Sequence, residues 1–279
     1  MKRGRWPVTR LALLAALLVG GWVLLQGVRA PRWHSVAPGV EFATLHGDPY
    51  CRSGSINIAV LRLDPQRVRI RMRHFLREPD QKPLRLDQWM ARSPALAAFN
   101  AGQYYPDLSY MGVFVSGGEV VSGTEHPSFR AALVAEPRSD TTANARVLDL
   151  DHDPLDPKRT QWGEVAQSFM LFERGGMPRV RHTDQVALRT VVGEDGRGRI
   201  LIITSEGGYT LWDFATLLNR APLELVHALS MDGGREAQLA VRTESFRYAN
   251  YGPWNQGEER PEGARNMVPL PAVVTVEAR

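Results

Sequence analysis

The chain has 279 residues, 43% hydrophobic and 23% charged, the balance of a folded protein with a sizeable core, which excludes a disordered polyelectrolyte. Its net charge of +4 comes from the amino terminus: Lys2, Arg3, Arg5, Arg10, Arg29 and Arg32 precede the first acid, Glu41, so the remainder carries net −2. No basic stripe is left for nucleic acid, and Cys51, the only cysteine, excludes an intramolecular disulfide.

Residues 11–28 form an apolar run in which Gln26 is the only polar side chain. As a helix this run is about 27 Å long, close to the hydrocarbon thickness of a bilayer. Lys2, Arg3, Arg5 and Arg10 precede it, so the positive-inside rule leaves the amino terminus in the cytoplasm and exports the bulk. A cleaved signal peptide is the rival reading, since Val28-Arg29-Ala30 offers small or apolar residues at a cleavage point. Pro31 directly after it opposes cutting. Residues 1–30 are therefore expected to remain as a cytoplasmic tip and single-pass inner-membrane anchor, with the domain in the periplasm or outside the cell.

Residues 31–40 read as a linker into a domain spanning 41–279. "INIAVLRLDP" and "VRIRMRHF" alternate apolar and polar residues and predict half-buried strands, the second with an arginine-rich outer face. "LRLDQWMARS" predicts a short helix closed by Ser93-Pro94, and "ALAAFN" a short strand ending at Asn100. "GVFVSGGEVVSG" predicts a hairpin turning at Gly117-Gly118. The polar stretch 137–159 reads as a solvated loop. Its "DLDHDPLDP" is not a calcium loop, because Pro154 stands where that loop needs glycine and Thr160 where it needs glutamate.

"SFMLFERGG" predicts a strand and turn, and "VALRTVVGEDGRGRILIITSE" a hairpin across Asp195-Gly196. "YTLWDFATLLNR" predicts a helix with Leu211, Trp212, Phe214, Ala215, Leu217 and Leu218 as its apolar face. "LELVHALSM" predicts a buried strand ending at Asp232. The Gly-, Pro- and Asn-rich stretch up to Pro271 reads as irregular, and "AVVTVEAR" closes as a last strand. Hairpins with few helices predict an α+β fold: a single mixed, sheet-rich domain with a few flanking helices behind one N-terminal transmembrane helix.

The chain has no G-x-S-x-G elbow and no H-E-x-x-H, and its seven histidines lack metal-ligand spacing, so no metal or cofactor is expected. Three segments remain as candidates. "FNAGQYYPDLSYMGVFVSGG" places an amide at a strand end, then glycines and the aromatics Tyr104, Tyr105 and Tyr110. In "ALRTVVG", Arg189 interrupts an apolar strand, and its guanidinium must find an anion, a set of carbonyls or solvent. "LSMDGGREAQL" ends an apolar run at Asp232 with Gly233 and Gly234 after it, which fits either a plain turn or the floor of a site.

In this order, Asn100-Ala101-Gly102, Arg189-Thr190-Val191-Val192-Gly193 and Met231-Asp232-Gly233-Gly234 resemble the "N-G/A-G", "R-T-A-x-G" and "L-D-G-G-G-S" motifs of the phosphodiester glycosidase family. That family includes the lysosomal enzyme that uncovers mannose 6-phosphate by removing N-acetylglucosamine. The resemblance spans residues 35–279. Arg235-Glu236 depart from the family's Gly-Ser, and Glu206 stands where the family has an aspartate.

The resemblance implies cleavage of the bond between a sugar's anomeric carbon and a phosphodiester. Asp232 and Glu206 are then the catalytic carboxylates. Asn100, Gly102, Arg189, Gly233, Gly234 and Arg235 are then the substrate-binding residues. Arg189 would pair with the phosphate, and the Gly233 and Gly234 N–H groups would face it. The expected substrate is an envelope or capsule glycan bearing sugar-1-phosphate links. The alternative is an envelope glycan-binding module that keeps the pocket without the chemistry.

Overall fold

The computed structural model describes residues 30–139, 143–251 and 267–279. Its elements are β1 (His34–Ala37), β2 (Val40–His46), β3 (Ser53–Leu63), β4 (Val68–His74), α1 (Leu86–Ala91), β5 (Ala95–Asn100), β6 (Phe114–Ser116), β7 (Glu119–Ser122), β8 (Ala131–Pro137) and β9 (Ala145–Asp149). They continue with β10 (Trp162–Phe172), β11 (Thr190–Asp195), β12 (Ile200–Gly208), α2 (Leu211–Arg220), β13 (Leu225–Ser230), β14 (Leu239–Arg242), β15 (Arg247–Asn250) and β16 (Ala272–Ala278).

The strands form two sheets. The larger runs β1-β2-β3-β12-β11-β13-β10-β6-β7, with β8 and β9 branching from β10; the smaller runs β15-β14-β5-β16-β4. The sheet-rich architecture with a few flanking helices is the one expected. Every named strand pair is antiparallel, because short hairpins and returns join the strands where a parallel sheet would need helical crossovers. The long strand β10 lets the larger sheet branch: along one edge it pairs first with β6 and then with β13, and along the other with β8.

Both sheets contribute to one central core. Leu61, Val192, Ile202 and Leu229 from the larger meet Ile70, Met72, Phe99 and Val274 from the smaller. The outer face of the larger sheet is covered by α2, whose Phe214, Ala215, Leu217 and Leu218 are buried against Val60, Leu201 and Ile203. Burial on both faces explains why β12 reads as a continuous apolar run where β4 alternates. Thr210 fixes the start of α2, its Oγ1 accepting the Asp213 N–H at 3.0 Å. The helix's apolar stripe is narrower than expected, for Leu211 and Trp212 are only half-buried and Trp212 stacks on His182. On the outer face of the smaller sheet, Leu86, Trp89 and Met90 of α1 pack on Ala98 and Val273. Truncating a ring such as Trp89 to alanine there costs about 3–5 kcal/mol.

Three polar stretches hold strands that their composition hides. The expected linker 31–40 contains β1, paired with β2. The expected loop 137–159 contains β9, whose Ala145, Val147 and Leu148 are buried. The irregular stretch before Pro271 contains β14 and β15, and β14 pairs with β5. The apolar run 11–28 lies outside the described residues. Among those described, no helix is long and apolar enough to cross a membrane.

Candidate active site

The ends of β5, β11 and β13 converge where the two sheets meet. The Met231 N–H donates to Thr190 O at 2.9 Å, and the Asp232 N–H to Ala101 O at 3.3 Å. Asn100 is the clamp between them. It is 1% exposed, and its Nδ2 donates to Asp232 O at 2.8 Å and to Ala101 O at 3.2 Å. Its Oδ1 accepts from Thr190 Oγ1 at 2.7 Å and from the Gln238 N–H at 3.1 Å. All four hydrogen-bonding positions of this amide are filled from within the protein. Asn100, expected to bind substrate, is seen here tying the two sheets together.

Asp232 follows β13 by two residues, with a half-buried carboxyl group whose Oδ1 accepts the N–H of Gly233 at 2.9 Å. Burial pushes its pKa up to about 7; the negative charge of Glu236, one turn on, adds to the rise, and the Gly233 bond opposes it. Glu236 and Arg235 lie in a short 3-10 turn, Gly234–Glu236, with Arg235 exposed and Glu236 half-buried. Gln238 pins this turn through Nε2, which donates to Arg235 O at 3.2 Å and to Val268 O at 3.1 Å.

Arg189 sits just before β11 and is 6% exposed. Its Nε donates to Tyr209 O at 2.9 Å and its Nη2 to Gln185 O at 2.8 Å. Among the described residues it forms no ion pair. Burial alone lowers its pKa to about 10, so it remains a cation at neutral pH. The two carbonyls hold the guanidinium while Nη1 lies against Gly233. A Cβ on Gly233 would stand 3.4 Å from that Nη1 and 2.9 Å from Leu188 O, so glycine is required by close approach.

The N–H groups of Gly233 and Gly234 do not face an open anion site, as was expected. The first bonds the Asp232 carboxylate and the second bonds Leu188 O at 3.0 Å. Gly102 likewise serves packing: a Cβ there would lie 2.4 Å from the Tyr110 hydroxyl, which donates to Gln167 O at 3.0 Å. Tyr104 lines the same region, its hydroxyl donating to Ala272 O at 3.0 Å and accepting the Ala272 N–H at 3.1 Å. Burial, with Tyr110 and Asp232 nearby, raises its pKa well above the usual phenol range.

Glu206 has other company. Its carboxylate accepts from Ser55 Oγ at 3.2 Å, from Asn57 Nδ2 at 3.5 Å and from the Tyr248 hydroxyl at 2.9 Å. The acid whose charge acts on Asp232 is Glu236. Sequence reasoning did not single out Glu236, Thr190 or Gln238 for the site. Glu236 had a visible signal, an acid four residues after Asp232 across a glycine pair, and Thr190 had one as the threonine of the arginine motif; Gln238 had none, since its partner Asn100 is remote in the chain.

A sequence profile of the phosphodiester glycosidase family matches residues 93–275, more than half of the chain and all of the converging strand ends. The chain belongs to the phosphodiester glycosidase family. Family membership supports glycosidase activity on phosphodiesters. The fold resembles the zebrafish N-acetylglucosamine-1-phosphodiester alpha-N-acetylglucosaminidase catalytic domain, auto-inhibited by its pro-peptide. That likeness has a TM-score of 0.58 at 15% identity and covers 90% of this chain and 88% of that one. A hypothetical protein from Synechocystis is similar at a TM-score of 0.60 and 13% identity, over 90% of this chain and 64% of that one. No curated protein sequence matches the chain.

Proposed function

We propose that this phosphodiester glycosidase hydrolyses glycosyl-1-phosphodiester bonds of envelope or capsule glycans, on the outer side of the membrane that holds its amino terminus. The observation that carries the reading is Arg189: a buried cation with no counter-ion among the described residues, against the backbone of Gly233, which directly follows the Asp232 carboxyl group whose pKa is about 7. A buried charge lacks stability without a partner, and a phosphodiester supplies the missing anion in a shape that suits a planar guanidinium. The apolar run 11–28, with its four preceding cations, supports the anchor and the extracytoplasmic location.

Substrate phosphate pairs with Arg189. The bond between the anomeric carbon and the phosphate oxygen breaks, and the phosphate monoester leaves with the electron pair. Water adds to the anomeric carbon, and its proton passes to Asp232. The phosphate is already a competent leaving group, so the main demand is for a base, and a carboxyl poised near neutrality meets it. Glu236 supports that poise through its charge, and exposed Arg235 is available to a second acidic group on the glycan. Glu206, satisfied by three donors, serves as a positioning residue.

The test is hydrolysis of a set of sugar-1-phosphodiesters by the full-length chain in detergent, in heavy-oxygen water. Label in the released sugar, with kcat/KM rising with pH to a plateau above about 7, is the expected result. Label in the phosphate, or no release from any sugar, overturns the reading. Protease digestion of the domain in intact spheroplasts checks the location.

A further inference from the structure

Away from the converging strand ends, a cleft of about 400 Å³ wraps the open edge of β4, lined by Arg71, Arg73, His74, Ser116, Glu164 and Glu277 among others. Its position is set by topology. β4 is the edge strand of the smaller sheet, and β6 and β10 of the larger sheet close over it. The cleft lies across β16 from Asn100. His74 is in register with Ala272, and Val273 with Asn100, which separates them by two strand spacings, roughly 10 Å.

Two features mark the cleft as built for a ligand. His74 is 1% exposed, and its Nδ1 accepts the Leu76 N–H at 3.3 Å, which leaves the ring proton on Nε2. That Nε2 is buried and has no hydrogen-bond partner among the described residues. Burial lowers the imidazole to about 4, so at neutral pH it is an uncharged donor without an acceptor. Such a group is costly to leave unmet.

The second feature is charge balance. Arg71 pairs with Glu164 at 3.1 Å, Arg73 with Glu277 at 3.1 Å, Glu78 with Arg92 at 2.9 Å, and Arg77 with Glu119. An anion entering here would have to displace a carboxylate. A hydroxyl both donates and accepts, so it can answer a guanidinium N–H and a carboxylate oxygen without breaking either pair. Ser116 adds a hydroxyl whose proton already goes to Met72 O at 2.7 Å and whose lone pairs remain to accept.

We propose that the β4 edge cleft is a second ligand site, separate from Asp232, that binds a neutral polyhydroxylated molecule of hexose size, with His74 Nε2–H donating to one of its oxygens. It requires no turnover at Asp232 and stands or falls apart from the hydrolase reading.

The experiment titrates full-length protein carrying isotope-labelled histidine, in detergent, with glucose, N-acetylglucosamine and, separately, inorganic phosphate. The imidazole resonances of His74 are followed by nuclear magnetic resonance. A hexose is expected to move the Nε2–H signal saturably, in wild type and equally in Asp232→Asn. His74→Phe, which keeps a ring of similar size, should weaken hexose binding by about tenfold, the scale of one lost hydrogen bond. Glu277→Gln, at the solvent end of β16, gives a second test should His74→Phe fail to fold: it should weaken binding with the circular dichroism unchanged. The proposal is overturned if no hexose moves His74, if phosphate moves it and hexoses do not, if the response vanishes in Asp232→Asn, or if a folded Glu277→Gln binds as wild type does.

Discussion

Two acids stand where a catalytic carboxylate was expected, and the fold treats them oppositely. Glu206 projects from the bulged end of β12 into three donors, supplied by Ser55, Asn57 and Tyr248. Asp232, just after β13, has one side-chain hydrogen bond, from its own neighbour Gly233, in a half-buried setting with another acid close by. Three donors hold the Glu206 side chain in place, whereas burial and a like charge make Asp232 hold its proton. The first arrangement makes a side chain fixed by its hydrogen bonds, and the second a group ready to exchange a proton near pH 7.

The sharpest way to break this contrast is to neutralise each acid in turn. Asp232→Asn should lower turnover by about a hundredfold or more, the scale of lost general-base catalysis, with substrate still bound. Glu206→Gln keeps its size and should lower turnover less than about tenfold, because a shaping residue acts only through position. Parallel kcat and KM measurements on the two variants decide the matter: equal losses would erase the distinction between the acids.

Arg189 extends the comparison to cations. Arg71 is matched by Glu164 in the smaller sheet's edge cleft, while Arg189 meets only carbonyls among the described residues. Arg189→Lys keeps a charge but loses the planar fork, and should lower kcat/KM by about tenfold to a hundredfold on the scale of one charge-assisted bidentate contact. Thermal melting checks that the fold survives. Unchanged kinetics would mean that the guanidinium serves the Tyr209 and Gln185 carbonyls alone.

How much of this was legible in the sequence depends on how local each cause is. The strict alternation of β4 and the capped apolar face of α2 are local and were readable. So was the apolar strand before Asp232, whereas Arg189, expected to interrupt a strand, stands just before β11 begins at Thr190. The saturation of Asn100 was not readable, because its partners Thr190, which opens β11, and Gln238, just before β14, are remote in the chain, the latter 138 residues away. Glu206 shows the same limit from the other side: an acid after an apolar strand reads like a site residue until donors from β3 and β15 are in place. β9, β14 and β15 were hidden because short strands in polar stretches gain stability from their neighbours and carry little pattern of their own.

The two acids also predict a dependence of stability on pH. Above about pH 7 the folded protein holds Asp232 ionised in a buried place, a cost the unfolded chain does not bear. Protonation relieves it, so this group's contribution to stability rises as pH falls from about 7 to about 4 and is flat outside that window. Asp232→Asn should abolish that slope and stabilise the protein at about pH 8, with about 4 kcal/mol as a ceiling from a rise of roughly three pKa units. Denaturant unfolding of wild type and variant at both ends of the window measures it. A variant less stable than wild type at the alkaline end would mean that the carboxylate serves the turn as structure.

The smallest expected effect isolates Glu236. Its charge adds to a rise in the Asp232 pKa that burial dominates, so removing the charge should lower that pKa without returning it to the ordinary carboxylate value. Glu236→Gln keeps the side chain's length and, in the half-exposed 3-10 turn, should leave the fold intact. If Asp232 is the base, its ionised form is then available at lower pH, so the rising limb of kcat/KM should move to lower pH by about half a unit to one unit, the scale of one screened charge. The plateau should change little, because the chemistry at Asp232 is untouched. A limb that stays in place would mean that Glu236 points its charge elsewhere, and a limb that moves up would assign the titration to a different group. A fallen plateau with an unmoved limb would make Glu236 a substrate contact. Each outcome is read from the pH profile alone, so this small change can separate the acid that reacts from the acid that tunes it.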